Sequence, residues 1–177
     1  MKVAVYCGVG IGNNPAYKEG AVRLGKWISN HHYTLVYGGG DSGLMGVIAS
    51  EVFKAGCPVI GVVPGDVEFI KNRPQPYVTE LITARNMSER KEKMLNLSDV
   101  FIALPGGIGT LDEITEVITL TKIGVFDKKC ILFNQDGFYE PFRKMLQDME
   151  KEGFIEAEAM KHVLFSSDVE EIEKFIG

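Results

Sequence analysis

Apolar residues fall in short, nearly unbroken blocks along this chain, and between the blocks they recur every three or four positions. The blocks cover 2–6, 34–37, 58–63, 80–84, 100–104 and 130–133, with a shorter one at 163–165. Unbroken blocks of this length read as strands covered on both faces. The spaced patterns predict helices over 15–29, 44–54, 88–97, 111–123, 139–151 and 169–175. Strand and helix alternate throughout. That order predicts an α/β, three-layer, Rossmann-like fold: a parallel β-sheet with helices on both faces, with 163–165 as an edge strand. The 177 residues suit one domain, 1–177, with no repeat or linker inside it. The stretch 64–77 is the least regular, with Pro64, Gly65, Pro74 and Pro76, and is expected as a loop over a site or at an interface.

Glycines cluster after three of the predicted strands: Gly8, Gly10 and Gly12; Gly38, Gly39, Gly40 and Gly43; Gly106, Gly107 and Gly109. In open parallel sheets, ligands bind beyond the carboxyl ends of the strands, where these loops lie. Glycines there either make tight strand-to-helix turns or let backbone amides crowd around an anion. A dinucleotide site is disfavoured. The first loop is not G-x-G-x-x-G, and Tyr37 is followed by three glycines where such a site places an acid for the ribose. No Gly-Lys-Ser/Thr follows a glycine loop, so ATP-driven chemistry has no support.

Composition narrows the choice of ligand. The chain is 45% hydrophobic and 24% charged, with a formal net charge of −5. No global positive field draws it to nucleic acid or an anionic membrane, whereas a small anion can still be held by local amides. Cys7, Cys57 and Cys130 are too far apart for a metal motif or disulfide framework and read as buried thiols of a reducing compartment. The first strand starts at once, leaving no room for a signal peptide, and no block is long enough to span a membrane. The expected location is cytoplasmic.

Two segments carry candidate chemistry. The first, PGGIGTLDE over 105–113, is a strand end, a glycine loop and a helix start. Amides near Gly107 to Thr110 and the Thr110 hydroxyl face an anion there. Glu113 has two readings. Thr110 as N-cap with Glu113 three positions on fits a capping box, in which Glu113→Gln keeps the cap and near-wild-type stability. Alternatively, Glu113 is a catalytic acid beside the anion. Asp112, Glu116 and Thr119 share one helix face, opposite Ile114, Val117 and Ile118. The second segment is MSERK over 87–91. Met87, Arg90, Met94 and Leu97 follow helical spacing, which puts Arg90 in an apolar stripe. A guanidinium there either snorkels to water, pairs with a structural carboxylate, or meets an anionic ligand.

MSERK and PGGIGTLDE resemble the paired M-H-x-R-K and P-G-G-x-G-T-x-x-E motifs of the LOG (Lonely Guy) family, with Ser88 in the place of the motif's His. Cys7, Gly8, Gly12 and the NNPAY run to Tyr17, with YGGG over 37–40 and GLMG over 43–46, are similar too. The resemblance implies a Rossmann-like homodimer. It also implies a phosphoribohydrolase that frees adenine-type bases, cytokinins included, from nucleoside 5′-monophosphates such as AMP. Carried over by position, Arg90 and Glu113 would be the catalytic pair. Lys91, Gly106, Gly107, Ile108, Gly109, Thr110, Leu111 and Asp112 would bind substrate, with Glu116, Thr119, Gly39 and Gly40 as further pocket candidates. Neither a metal nor an organic cofactor is called for, and no lysine stands in a recognisable pyridoxal-phosphate context. A non-hydrolytic nucleotide or cofactor carrier on the same fold, and an NAD-linked oxidoreductase, are the alternatives.

Overall fold

The computed structural model describes residues 1–68 and 75–177. Among them, seven strands form one sheet: β1 (Lys2–Tyr6), β2 (Thr34–Tyr37), β3 (Val59–Pro64), β4 (Glu80–Ala84), β5 (Val100–Ala103), β6 (Lys129–Leu132) and β7 (Val163–Phe165). Their order is β4-β3-β2-β1-β5-β6-β7, and every neighbouring pair is parallel. The helices are α1 (Pro15–Asn30), α2 (Gly43–Lys54), α3 (Met87–Leu97), α4 (Ile108–Lys122), α5 (Glu140–Lys151) and α6 (Val169–Ile176).

Side chains alternate across each strand. Along the sheet from β3 to β6 both sides are buried, whereas edge strand β4 buries only Ala84 and β7 is half-buried. Val3 and Val5 pack with Leu24 and Ile28 of α1, Ile48 of α2 and Ile172 of α6 in one cluster. Ala4 and Tyr6 belong to a second cluster with Met94 of α3 and with Ile114 and Val117 of α4. Two faces, each needing apolar cover, explain why the strand blocks lack polar alternation. The same arrangement places α3 and α4 in one layer, which decides the site.

Chain order reverses at β1, which lies between β2 and β5. Pairing of Tyr6 with Ala103 levels the ends of β1 and β5. Their loops therefore meet, and Gly8 N–H donates to the Pro105 carbonyl at 3.1 Å. This is the switch point at which open sheets bind ligands.

Most boundaries lie within a residue or so of the pattern, but α4 does not. It starts at Ile108 rather than at 111, with Gly107 as an extended N-cap that makes no side-chain bond. Glycine is a poor helix former, so the periodic pattern shows only after Gly109. The capping box is thereby overturned, because Thr110 lies inside the first turn. Of the irregular stretch expected over 64–77, Pro64 ends β3, and residues 69–74 lie outside the described residues. Among the described residues, no helix is long and apolar enough to cross a membrane.

Candidate functional site

α3 is fixed at its start by side chains of its own segment. Asn86 is the N-cap and accepts from Glu89 N–H at 2.9 Å. Glu89 reaches back to accept from both the backbone N–H and the Nε of Arg85, each at 2.7 Å. The Arg85 hydrogen bond is the main reason the Glu89 carboxyl is pulled down to about 2. One turn on, Arg90 points into the protein and is only 6% exposed.

Burial of a guanidinium demands partners, and Arg90 has them on two elements. Its Nε donates to the Val62 carbonyl of β3 at 2.9 Å, and its Nη1 donates to Glu113 Oε1 of α4 at 2.5 Å. The third nitrogen lies over the loop after β2, where a Cβ built on Gly38 would stand 2.5 Å from Nη2. Glycine at 38 is thus the condition for the guanidinium's position. Glu113 is 9% exposed and also borders the cavity. Burial pushes that carboxyl above its ordinary range, opposed by the Arg90 charge and hydrogen bond.

The neighbouring loop brings free amides to the same place. Leu111 N–H is the first to close on α4, to the Gly107 carbonyl at 3.2 Å. The amides of Ile108, Gly109 and Thr110 precede it and have no intrahelical acceptor, which leaves them able to donate to an anion. The Thr110 side chain is buried against Gly106, where an added Cβ would come within 2.1 Å of Oγ1. Gly106 therefore lets the hydroxyl lie against the loop.

These groups border a cavity of about 680 Å³, within the roughly 300–1,000 Å³ usual for small-molecule sites. Arg90, Glu113, Asp112, Gly107, Ile108, Gly109, Thr110 and Gly40 line it. A crevice of about 240 Å³ adjoins it, shares Gly8, Val9 and Gly107, and includes Gly106. The remaining sequence candidates lie elsewhere. Gly39 is turned toward Val63, and Leu111 packs on the second core cluster. Thr119 is exposed further along α4, with its hydroxyl donating to the Thr115 carbonyl at 2.7 Å. Lys91 and Glu116 pair with each other outside the cavity, at 3.1 Å.

Sequence reading missed much of the wall. Cys7, Met45, Pro64, Gln75 and Met87 also border the cavity. The signals that pointed near them were the stretch 64–77, which holds Pro64 and Gln75, and the motif segments, which hold Cys7, Met45 and Met87. Met87 was assigned to the apolar stripe of its helix, yet it is 43% exposed at the rim. Burial pushes the Cys7 thiol up, so it stays uncharged. No lysine borders the cavity among the described residues, and no group of three or more His, Cys, Asp or Glu there is arranged to hold a metal.

Known proteins resemble this chain in sequence and in fold. The family model described as "Possible lysine decarboxylase" matches residues 45–176. Cytokinin riboside 5′-monophosphate phosphoribohydrolase LOG of Oryza sativa subsp. japonica is 40% identical over 97% of this chain and 70% of its own length. The cytokinin riboside 5′-monophosphate phosphoribohydrolase of Rhodococcoides fascians is 36% identical over 95% of this chain and 85% of its own. Among solved structures, the molybdenum cofactor carrier protein of Chlamydomonas reinhardtii matches with a TM-score of 0.73 at 22% identity, covering 99% of this chain and 97% of that one. The molybdenum cofactor binding protein of Rippkaea orientalis gives 0.71 at 22% identity, with the same coverage. At that identity the two structures speak for the fold. Family model and relatives together cover nearly the whole sequence, and the chain belongs to the LOG family, the one described as possible lysine decarboxylases.

Proposed function

We propose that this protein hydrolyses the N-glycosidic bond of a nucleoside 5′-monophosphate, AMP or a cytokinin riboside monophosphate, to free base and ribose 5-phosphate. The observation that carries the reading is the buried Arg90–Glu113 pair, which opens on a cavity beside the free amides that start α4. The printed names of the curated relatives support it.

Breaking the bond between C1′ and the base nitrogen leaves the electron pair on the base and builds positive charge on the ribose ring, as in glycoside hydrolysis. The Ile108, Gly109 and Thr110 amides hold the phosphate and so fix the sugar. Glu113, with Oε1 given to Arg90, offers its other oxygen to the ring and to the water that attacks C1′. The water's oxygen bonds to C1′, and one of its protons leaves through the carboxylate. The base takes up a proton as it departs. Arg90 keeps Glu113 in one orientation and balances its charge. A decarboxylase built on a lysine imine would need an amine in this cavity, whereas the nearby Lys91 is held by Asp112 and Glu116.

A cytoplasmic homodimer is the setting that accompanies this reading, and sedimentation tests it directly. The decisive assay incubates the protein with AMP and other monophosphates, with adenosine and diphosphates as controls, and separates free base by chromatography. Base should appear from monophosphates alone. Equal release from adenosine would remove the phosphate site from the mechanism. Tight binding of AMP without base release would establish a carrier instead.

A further inference from the structure

Lys91 follows Arg90 on α3, and both reach across to α4, on opposite sides of the same contact. Arg90 meets Glu113 in the interior. Lys91 Nζ meets Asp112 Oδ1 and Oδ2 at 3.2 and 3.1 Å, and Glu116 Oε2 at 3.1 Å. The ammonium thus donates to the Asp112 carboxylate and forms an ion pair with that of Glu116. The Lys91 side chain is 20% exposed and does not border the cavity, whereas its partners are more open, at 58% and 36%. Two consecutive residues of one helix thus clasp Asp112, Glu113 and Glu116 of the other.

The geometry points to Lys91 as a positioning residue: it holds Asp112 and Glu116 against α3 and thereby sets the place of Glu113, rather than gripping substrate. The inference rests on the hydrolytic reading above, and it departs from the substrate-binding role that resemblance alone implies for Lys91. Charge supports the geometry. Burial is the main influence raising the Glu113 carboxyl. Arg90 and Lys91 from α3 lower it, and Asp112 beside it on α4 raises it. Tyr6 of β1 and Cys7 just beyond it also face this carboxylate, and burial and Glu113 itself keep both neutral. Glu116 completes the set from α4. Without Lys91, two acids are left uncompensated next to a third.

The test compares Lys91→Met, Lys91→Arg and the triple exchange Lys91→Met, Asp112→Asn, Glu116→Gln. The pH profiles of kcat and KM on AMP are measured for each. In parallel, Glu113 is titrated by carbon NMR, its carboxyl signal identified by its loss in Glu113→Gln. Lys91→Met should move the acid limb of kcat/KM, and the NMR titration, upward by roughly half a pH unit, with the loss falling on kcat. Lys91→Arg should hold the limb in place. The triple exchange removes the acids with their counter-charge and should return the limb to the wild-type position or below it. It also serves if Lys91→Met alone does not fold. A KM raised at every pH with an unmoved limb would show Lys91 holding substrate and overturn the proposal. So would a triple variant whose limb stays displaced upward. If wild type cleaves no monophosphate yet the NMR titration moves as expected, the hydrolytic reading fails while the placement of Lys91 stands.

Discussion

Glu113 shows how a residue's neighbours fix its chemistry. Three positions after Thr110 it reads equally well as half of a capping box, and that reading predicts an indifferent Glu113→Gln protein. The structure instead gives it the Arg90 guanidinium at 2.5 Å. Glu113→Gln therefore leaves a buried cation with a neutral acceptor, and we expect a loss of about 1–3 kcal/mol in urea unfolding. Turnover should fall about 100-fold or more. Replacing both partners by apolar side chains, Arg90→Met with Glu113→Leu, should recover much of that stability without restoring turnover. The pH dependence has a definite sign. The ionised carboxylate is the form that meets positive charge on the ribose, and burial holds this carboxyl high. Activity is then lost as pH falls through the raised value, so the acid limb of kcat/KM lies above the ordinary glutamate figure of about 4.3. Gly38 offers a test that leaves both charges in place. Gly38→Ala puts a Cβ 2.5 Å from Arg90 Nη2, while Val62 and Glu113 hold the guanidinium from the far side. Crowding of this kind costs about 1–3 kcal/mol, and kcat should drop with it.

At the scale of elements, apolar periodicity located the strands and helices well, because each is buried along a regular stripe. It failed at the start of α4, and it does not explain the start of α3. Glycines conceal the first turn of α4, and that turn is the one with free amides. The start of α3 depends on Asn86 and on Glu89 reaching back to Arg85, which hydropathy does not register. Asn86→Ala should cost about 1 kcal/mol, or about 2–4 °C in Tm for a chain of this size. A larger loss of kcat than of stability is expected, because the same turn aims Arg90.

For the whole molecule, one sheet carries both core clusters, and Trp27 reports on the layer opposite α3 and α4. If residues 1–177 fold as one unit, Trp27 fluorescence and far-ultraviolet circular dichroism should give the same urea midpoint. Separate midpoints would mean that the layers unfold independently. By itself the sequence determined the alternation of strand and helix, the parallel sheet, the glycine loops at its carboxyl edge and the two segments able to carry chemistry. Each of these is written in local periodicity or in a short motif. Only the tertiary structure decided that Arg90 meets Glu113 and the Val62 carbonyl, that Lys91 faces Asp112 and Glu116, and that Thr119 lies away from the cavity. Those facts follow from α3 and α4 lying side by side on one face of the sheet. Partners 23 residues apart are chosen by strand order and packing, which no local pattern encodes.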